Sequence, residues 1–368
     1  MSFSRNRARA MSALGVLTAG AALAFSALSA PAQAATAAAT TAPQYTLTIT
    51  RSPGLGQQTS FFGINANGDI FGSAIESGSP SEEGFLLKAG STTLQFLGSP
   101  GDPGNTKSIA TPDGLNVADD IAGSSQSLTN SMTTPLLWPN SSTPSSLASL
   151  PAIAALLNPQ ATAINDSNLI AGDGSNGHGT VPFTIQGSQV TMLPALPGGG
   201  DSQPAAVSNA GVIVGQADSA TISPVAVEWQ NGAIRQLGKL PGGLTSEALA
   251  VNTSGEIVGA SLAPGGDAHA VLFANGTVTD LNVPGTGQGD AQADGVNDSG
   301  VIVGDGGNGH AFIYQNGQAT DLNSLISSGS GFTLVAANGI NNKGDIVGTA
   351  VSNAQPRQSF GFELTPVS

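Results

Sequence analysis

Four acidic residues, Asp102, Asp201, Glu247 and Asp290, recur ahead of a repeated apolar segment. Side chains so placed would rim one mouth of a ring-shaped molecule. Two carboxylates at a suitable separation would act as acid and base on a glycosidic bond. The same groups would hold a divalent cation, or simply stay solvated. Repetition argues against catalysis, because catalysis needs asymmetry and repeats supply copies. A second set lies in two parallel glycine-rich segments, Gly172-Asp173-Gly174-Ser175-Asn176-Gly177-His178 and Gly304-Asp305-Gly306-Gly307-Asn308-Gly309-His310. Asp173, Asn176, Asp305 and Asn308 offer oxygen ligands suited to Ca2+. The Asp-x-Asp-x-Asp-Gly spacing of a calcium loop is missing, and the alternative is a plain strand connection. No other cofactor is expected. Residues that break the pattern are the better places to look for a site, and Lys107, Arg235 and Lys239 stand out in a chain with ten Lys and Arg.

Other chemistries find no support. The chain has no Cys, which excludes disulfides, thiol catalysis and Cys-based zinc sites. It has three histidines, and His269 and His310 occupy the same place in their repeats, which reads as structural. No nucleophile elbow, phosphate loop or dinucleotide fingerprint is present, and no segment reads as a long helix. Trp138, Trp229, Phe273 and Tyr314 fall at one repeat position, which reads as blade-to-blade packing and not as a sugar-stacking platform.

The elements that must position these residues come from a phrase repeated seven times, apolar-Asn-x-x-Gly-x-Ile-Val-Gly. Its closing glycines are Gly72, Gly123, Gly172, Gly215, Gly259, Gly304 and Gly348, at steps of 43 to 51 residues. Such periods belong to stacked or ring-closed supersecondary units. The phrase reads as a β-hairpin, with Asn-x-x-Gly forming a type I turn closed by a left-handed residue. That position holds Gly68, Asp119, Asn168, Gly211, Gly255, Gly300 and Gly344, and no β-branched residue. A third strand follows, then an Asn-Gly turn, a fourth strand and a Pro-Gly return. Four strands in about 44 residues make a propeller blade. The small residues before each Asn suit the innermost strand.

The chain therefore reads as all-β: a seven-bladed β-propeller with four strands per blade, spanning residues 45–368. Residues 45–50 match the fourth strand of a repeat, and the chain stops after a third strand. The N-terminal strand is thus expected to complete the last blade and close the ring.

The ends and the charge bound the setting. Residues 1–34 carry Arg5, Arg7 and Arg9, an apolar run and the small-x-small site Ala32-Gln33-Ala34, the pattern of a secretory signal peptide cleaved near Ala34. Residues 35–44 read as a flexible leader. Removing the three arginines takes the formal charge from −14 to −17. So acidic a surface argues against nucleic acid and anionic membranes. No second long apolar stretch exists to insert into a membrane.

At the level of motifs the chain resembles the HAF-type extracellular repeat proteins of bacteria. His310-Ala311-Phe312 is the triplet that names the group, His269-Ala270-Val271 is close to it, and Leu237-Gly238-Lys239-Leu240-Pro241-Gly242-Gly243 matches a second segment. The resemblance covers essentially all of 45–368. It implies a bacterial, extracellular repeat protein and supplies no activity and no catalytic residues. The expectation is a secreted, monomeric binding or interaction scaffold, extracellular or periplasmic, for a protein or glycan ligand. A glycan hydrolase or lyase and a cation-stabilised surface protein are the alternatives.

Overall fold

The computed structural model describes residues 44–52, 58–75, 82–99, 108–127, 130–141, 143–221 and 224–367. Residues 1–43, Asp102 and Lys107 lie outside them. Seven antiparallel four-stranded sheets follow one another along the chain as the blades of a seven-bladed β-propeller. Blade 6 is typical, with strands Gln292–Val296, Ile302–Asp305, Ala311–Gln315 and Gln318–Asp321. Blade 7 has Phe332–Ile340, Ile346–Ser352 and Ser359–Pro366 from the C-terminal end. Its fourth strand is Tyr45–Thr50, paired from Tyr45 opposite Pro366 to Thr50 opposite Gly361. The ring therefore closes with both ends of the chain in one sheet. Helix is confined, among the described residues, to Pro151–Ala154 and two 3-10 turns.

The repeated phrase works as two devices. The first is its turn. All seven left-handed positions carry a positive φ, from 61° at Asn168 to 98° at Gly68. The phrase Asn is buried. In blade 1 its Oδ1 accepts from the backbone N–H groups of Asn67, Gly68 and Asp69. Its Nδ2 then reaches the next blade. Asn65 donates to the carbonyl of Asn116 (2.9 Å), Asn116 to Asn165 (3.3 Å) and Asn165 to Ser208 (3.0 Å). Asn252 donates to Asn297 (3.0 Å), Asn297 to Asn341 (3.2 Å) and Asn341 to Asn65 (3.4 Å). This circle of bonds is interrupted only between blades 4 and 5. There Ser208 keeps the turn through Oγ, which accepts from Val212 N–H at 3.2 Å, but has no amide to send onward.

The second device is the closing glycine. In every blade the innermost strand is bulged three residues before the phrase Asn, as between Ala293 and Gly295. The bulge brings a carbonyl over the closing glycine. A Cβ on Gly304 would lie 2.1 Å from the oxygen of Gln292, and one on Gly348 would lie 1.9 Å from that of Ala336. The other five glycines meet the corresponding carbonyl in the same way. Glycine is required here by contact, not by φ. The hairpin reading anticipated the turn, and this bulge in the inner strand is an addition.

Blades pack by small inner residues and large outer ones. A Cβ on Gly339 would lie 3.1 Å from Cα of Gly63, so the inner strands of blades 7 and 1 meet backbone to backbone. Farther out, Trp229 is fully buried in a cluster with Ala163, Ala171 and Leu196 of the preceding blade, and its Nε1 donates to Pro194 O at 2.8 Å. Trp138 does likewise to Gly98 O. Phe273 is buried in a cluster with Val214 and Ala226 of the preceding blade, and Tyr314 packs against a cluster that includes Val258 and Ala270 of the preceding blade. The aromatic register is thus inter-blade packing.

Two predictions follow from this geometry. Ser208→Asn supplies the missing donor and should stabilise the protein by about 0.5–1.5 kcal/mol, read as a higher urea midpoint at unchanged m-value. Deleting residues 45–50 leaves blade 7 with an unpaired edge, and should lower the melting temperature sharply.

Candidate cleft between the sixth and seventh blades

The strand order gives the propeller two chemically different ends. One carries the hairpin turns of the repeated phrase, each four or five residues long, and the Asn circle. The other carries the second-to-third strand loops, of four to seven residues, and the links between blades, of seven to eleven. Two of the acidic positions noted in the sequence, Asp201 and Asp290, belong to this variable end, where they join blades. Asp201 Oδ1 accepts from Thr180 N–H (2.6 Å) and Asp290 Oδ1 from Ala268 N–H (2.8 Å), in each case at the start of the previous blade's third strand. Glu247 is displaced from this set. It lies within the inner strand Ser246–Val251, buried, in register with Gln160, Gln203 and Gln292. Ser246 takes the joining role instead, its Oγ accepting from Ala226 N–H at 2.9 Å. Sequence proximity to the apolar segment put Glu247 in a loop, whereas counting back from the phrase Asn separates the two positions.

The oxygen ligands of the glycine-rich segments are likewise engaged locally. Asn176 Oδ1 accepts from His178 and Gly179 N–H, and Asn308 Oδ1 from His310 N–H at 3.2 Å. Asp173 is buried and accepts from Gln160 Nε2 at 3.2 Å. Among the described residues no three His, Asp or Glu side chains gather in a group fit for a metal ion. Arg235 pairs with Glu228 (2.7 Å) on the surface, and Lys239 Nζ donates to Gly243 O (2.6 Å).

Asp305 differs from its counterpart Asp173. The facing glutamine, Gln292, turns to Asp294 (2.9 Å) instead. One Asp305 oxygen is sealed from solvent without a partner, although the residue as a whole is half-buried. Burial raises its pKa from 3.8 to about 7, against the opposing effect of a hydrogen bond from Ala337 N–H.

The histidines at the start of the third strands carry partners that the sequence reading missed. His269 Nδ1 lies 2.6 Å from Asp280 Oδ2, and His310 Nδ1 lies 2.6 Å from Asp321 Oδ2. An ionised carboxylate only accepts, so Nδ1 bears the hydrogen, and in the neutral imidazole Nε2 is left as an acceptor. The signal was available: Asp-Leu-Asn stands eleven residues after both histidines, at 280–282 and 321–323. Each Asp also accepts, through Oδ1, from the N–H of its following Asn.

The two pairs differ in their cover. Beyond Asp280 the link turns at Pro284-Gly285 and lies tightly on the next blade, so that a Cβ on Gly285 would be 2.2 Å from Asn308 N. Beyond Asp321 the chain makes a 3-10 turn, Leu322–Ser324, and a Ser/Gly segment replaces the Pro-Gly turn. A cleft of about 190 Å³ opens there, lined by His310, Ser327, Ser328, Phe332 and Asn353 among others. The His310 side chain is 39% exposed, against 16% for His269.

A pH prediction follows from Asp305. Its folded pKa stands above the unfolded one, so the folded state holds an extra proton between 3.8 and about 7. Stability is therefore fully present below pH 4 and falls as pH rises to about 7, beyond which this contribution is constant. Asp305→Asn should remove that slope and raise stability at pH 8 relative to the parent, measured by urea unfolding across the range.

No protein-family model matches the chain, and a search of curated protein sequences finds no match. Among solved structures it is similar to a prolyl endopeptidase from a study of inter-domain dynamics in catalysis and specificity, with TM-score 0.50 and 12% identity over 88% of this chain and 51% of that one. It is also similar to prolyl oligopeptidase B from Galerina marginata (TM-score 0.46, 10% identity, 88% and 52% covered). A gluconolactonase from Xanthomonas campestris gives TM-score 0.35 at 13% identity, over 72% and 88%. The chain thus spans about half the length of the two peptidases, and what it shares with the first is its fold.

Proposed function

We propose that this protein is a secreted propeller of the HAF-type repeat group, working as a monomer that binds an extracellular ligand through its variable end. The observation that carries this reading is the asymmetry between the ends. The phrase end is built from near-identical hairpin turns tied to one another, and its third-to-fourth strand turns are two residues long in blades 3 to 6, longer only in blades 1 and 2. The opposite end has connections of differing length and sequence on a rigid frame, which is where a propeller can vary recognition without altering its fold. The carboxylates that would serve a hydrolase, Asp201 and Asp290, each cap a neighbouring strand, which favours binding over turnover.

A thermal-shift screen of residues 35–368 against extracellular glycans, divalent cations and candidate protein partners tests the proposal. A saturable rise of several degrees with one ligand supports it, since a ligand favouring the native state raises its stability. Hydrolysis or elimination of a polysaccharide that is abolished in Asp201→Asn or Asp290→Asn would replace it with the enzyme reading.

A further inference from the structure

The repeats provide an internal control for the cleft. Blades 5 and 6 share the same His–Asp pair, the same Asp-Leu-Asn sequence and the same strand register. The pair is therefore part of the repeat, and its opening at blade 6 is particular to that blade. The difference lies in the link, where Ser327-Ser328-Gly329-Ser330-Gly331 stands in place of a turn that would pack on the neighbour.

What the cleft offers a ligand can be counted from its hydrogen bonds. His310 is held by Asp321 and presents Nε2 as an acceptor. Asn353 accepts at Oδ1 from the Thr333 hydroxyl (2.7 Å), which leaves its amide NH2 as a donor. Ser327 and Ser328 are exposed and bring hydroxyls that both donate and accept. Phe332, set edge-on to Phe360 at 5.3 Å between centroids, supplies an apolar wall. The lining holds no Lys, Arg, Asp or Glu among the described residues. In a chain of such acidity an uncharged cleft is a local departure. It holds no Lys or Arg to pair with a phosphate or carboxylate and no Asp or Glu to hold a metal ion. Donors and acceptors beside an apolar wall match a neutral polyol ring, whose hydroxyls do both and whose C–H face is apolar. The volume, about 190 Å³, lies below that of pockets for drug-sized ligands and suits one ring, not a chain of them.

We infer that the cleft between blades 6 and 7 binds a single neutral sugar residue, with His310 Nε2 and the Asn353 amide as its orienting contacts. This rests on the binding reading above and names the class of ligand. His310 acts here as a binding residue, and Asp321 as the residue that positions it.

With three histidines in the chain, the imidazole C–H resonances report the site directly. The protein is titrated with neutral monosaccharides, and in parallel with inorganic phosphate and Ca2+. The expected result is a saturable shift of the His310 resonance by at least one neutral sugar, with the His269 resonance unmoved. Ser328→Trp fills the cleft from an exposed loop position and should weaken that response by about tenfold or more. An unchanged His269 resonance in the variant verifies that its fold is intact. If no neutral sugar moves His310, or if phosphate or Ca2+ moves it instead, the inference falls. Glycan or protein binding that persists undiminished in Ser328→Trp would also overturn it while leaving the binding reading standing. A protein that responds to no ligand in either assay loses both.

Discussion

The structure depends on one side chain doing two jobs. Each phrase Asn spends its carbonyl oxygen on the turn of its own blade and its amide nitrogen on the backbone of the next. A buried side-chain amide must satisfy both ends or cost stability, and a hydroxyl, though it can donate and accept, reaches less far. Aspartate would make the turn and repel the neighbouring carbonyl. Serine makes the turn and stops there, as Ser208 does. The same residue thus sets the strand reversal and the angular step from blade to blade. Because the last bond runs from Asn341 to Asn65, the circle joins the two ends of the chain independently of the strand Tyr45–Thr50.

A second constraint sits on the first. The inner-strand bulge places a carbonyl where the closing glycine has no Cβ, and the innermost strands carry small residues where blades meet. Farther from the axis the gap between blades widens and is filled by Trp138, Trp229 and the phenylalanines. The taper of side-chain size along each sheet is the taper of a wedge. Carboxylates then appear where blades 4 and 6 begin, as Asp201 and Asp290, because the previous blade's third strand needs an acceptor there. This explains why acidic residues recur without forming an acidic site. At the blade 1–2 junction a cation joins in: Lys88 bridges Asp69 (2.8 Å) and Asp119 (2.7 Å). Burial opposes ionisation of Asp69, but the Lys88 and Ala89 hydrogen bonds prevail and hold its carboxyl below the usual range.

Recognition has to come from departures from this plan. The His–Asp pair is repeated and belongs to the frame. The Ser/Gly link after Asp321 is not repeated, and it alone turns a shared pair into an open cleft. The frame supplies an imidazole whose orientation is already fixed, and a change of a few residues in a link exposes it.

The period of the phrase, the tolerance of its left-handed position and the match of residues 45–50 to a fourth strand were enough, as sequence, to establish seven four-stranded blades closed by the N-terminal strand. They suffice because turns and strand alternation are local, and local chemistry repeats visibly. The site was less legible. The sequence spacing grouped Glu247 with Asp201 and Asp290, and only the pairing register separated a buried strand residue from loop acceptors. The partners of His269 and His310 lie on the adjacent strand, so their contact exists only once the hairpin forms. The second role of the phrase Asn was hidden for the same reason, since its donor finds a residue more than 40 positions away. Sequence by itself determined what each blade is. Tertiary structure decided which polar groups are consumed in joining blades and which are left open, because that depends on distances between segments that the chain order does not encode.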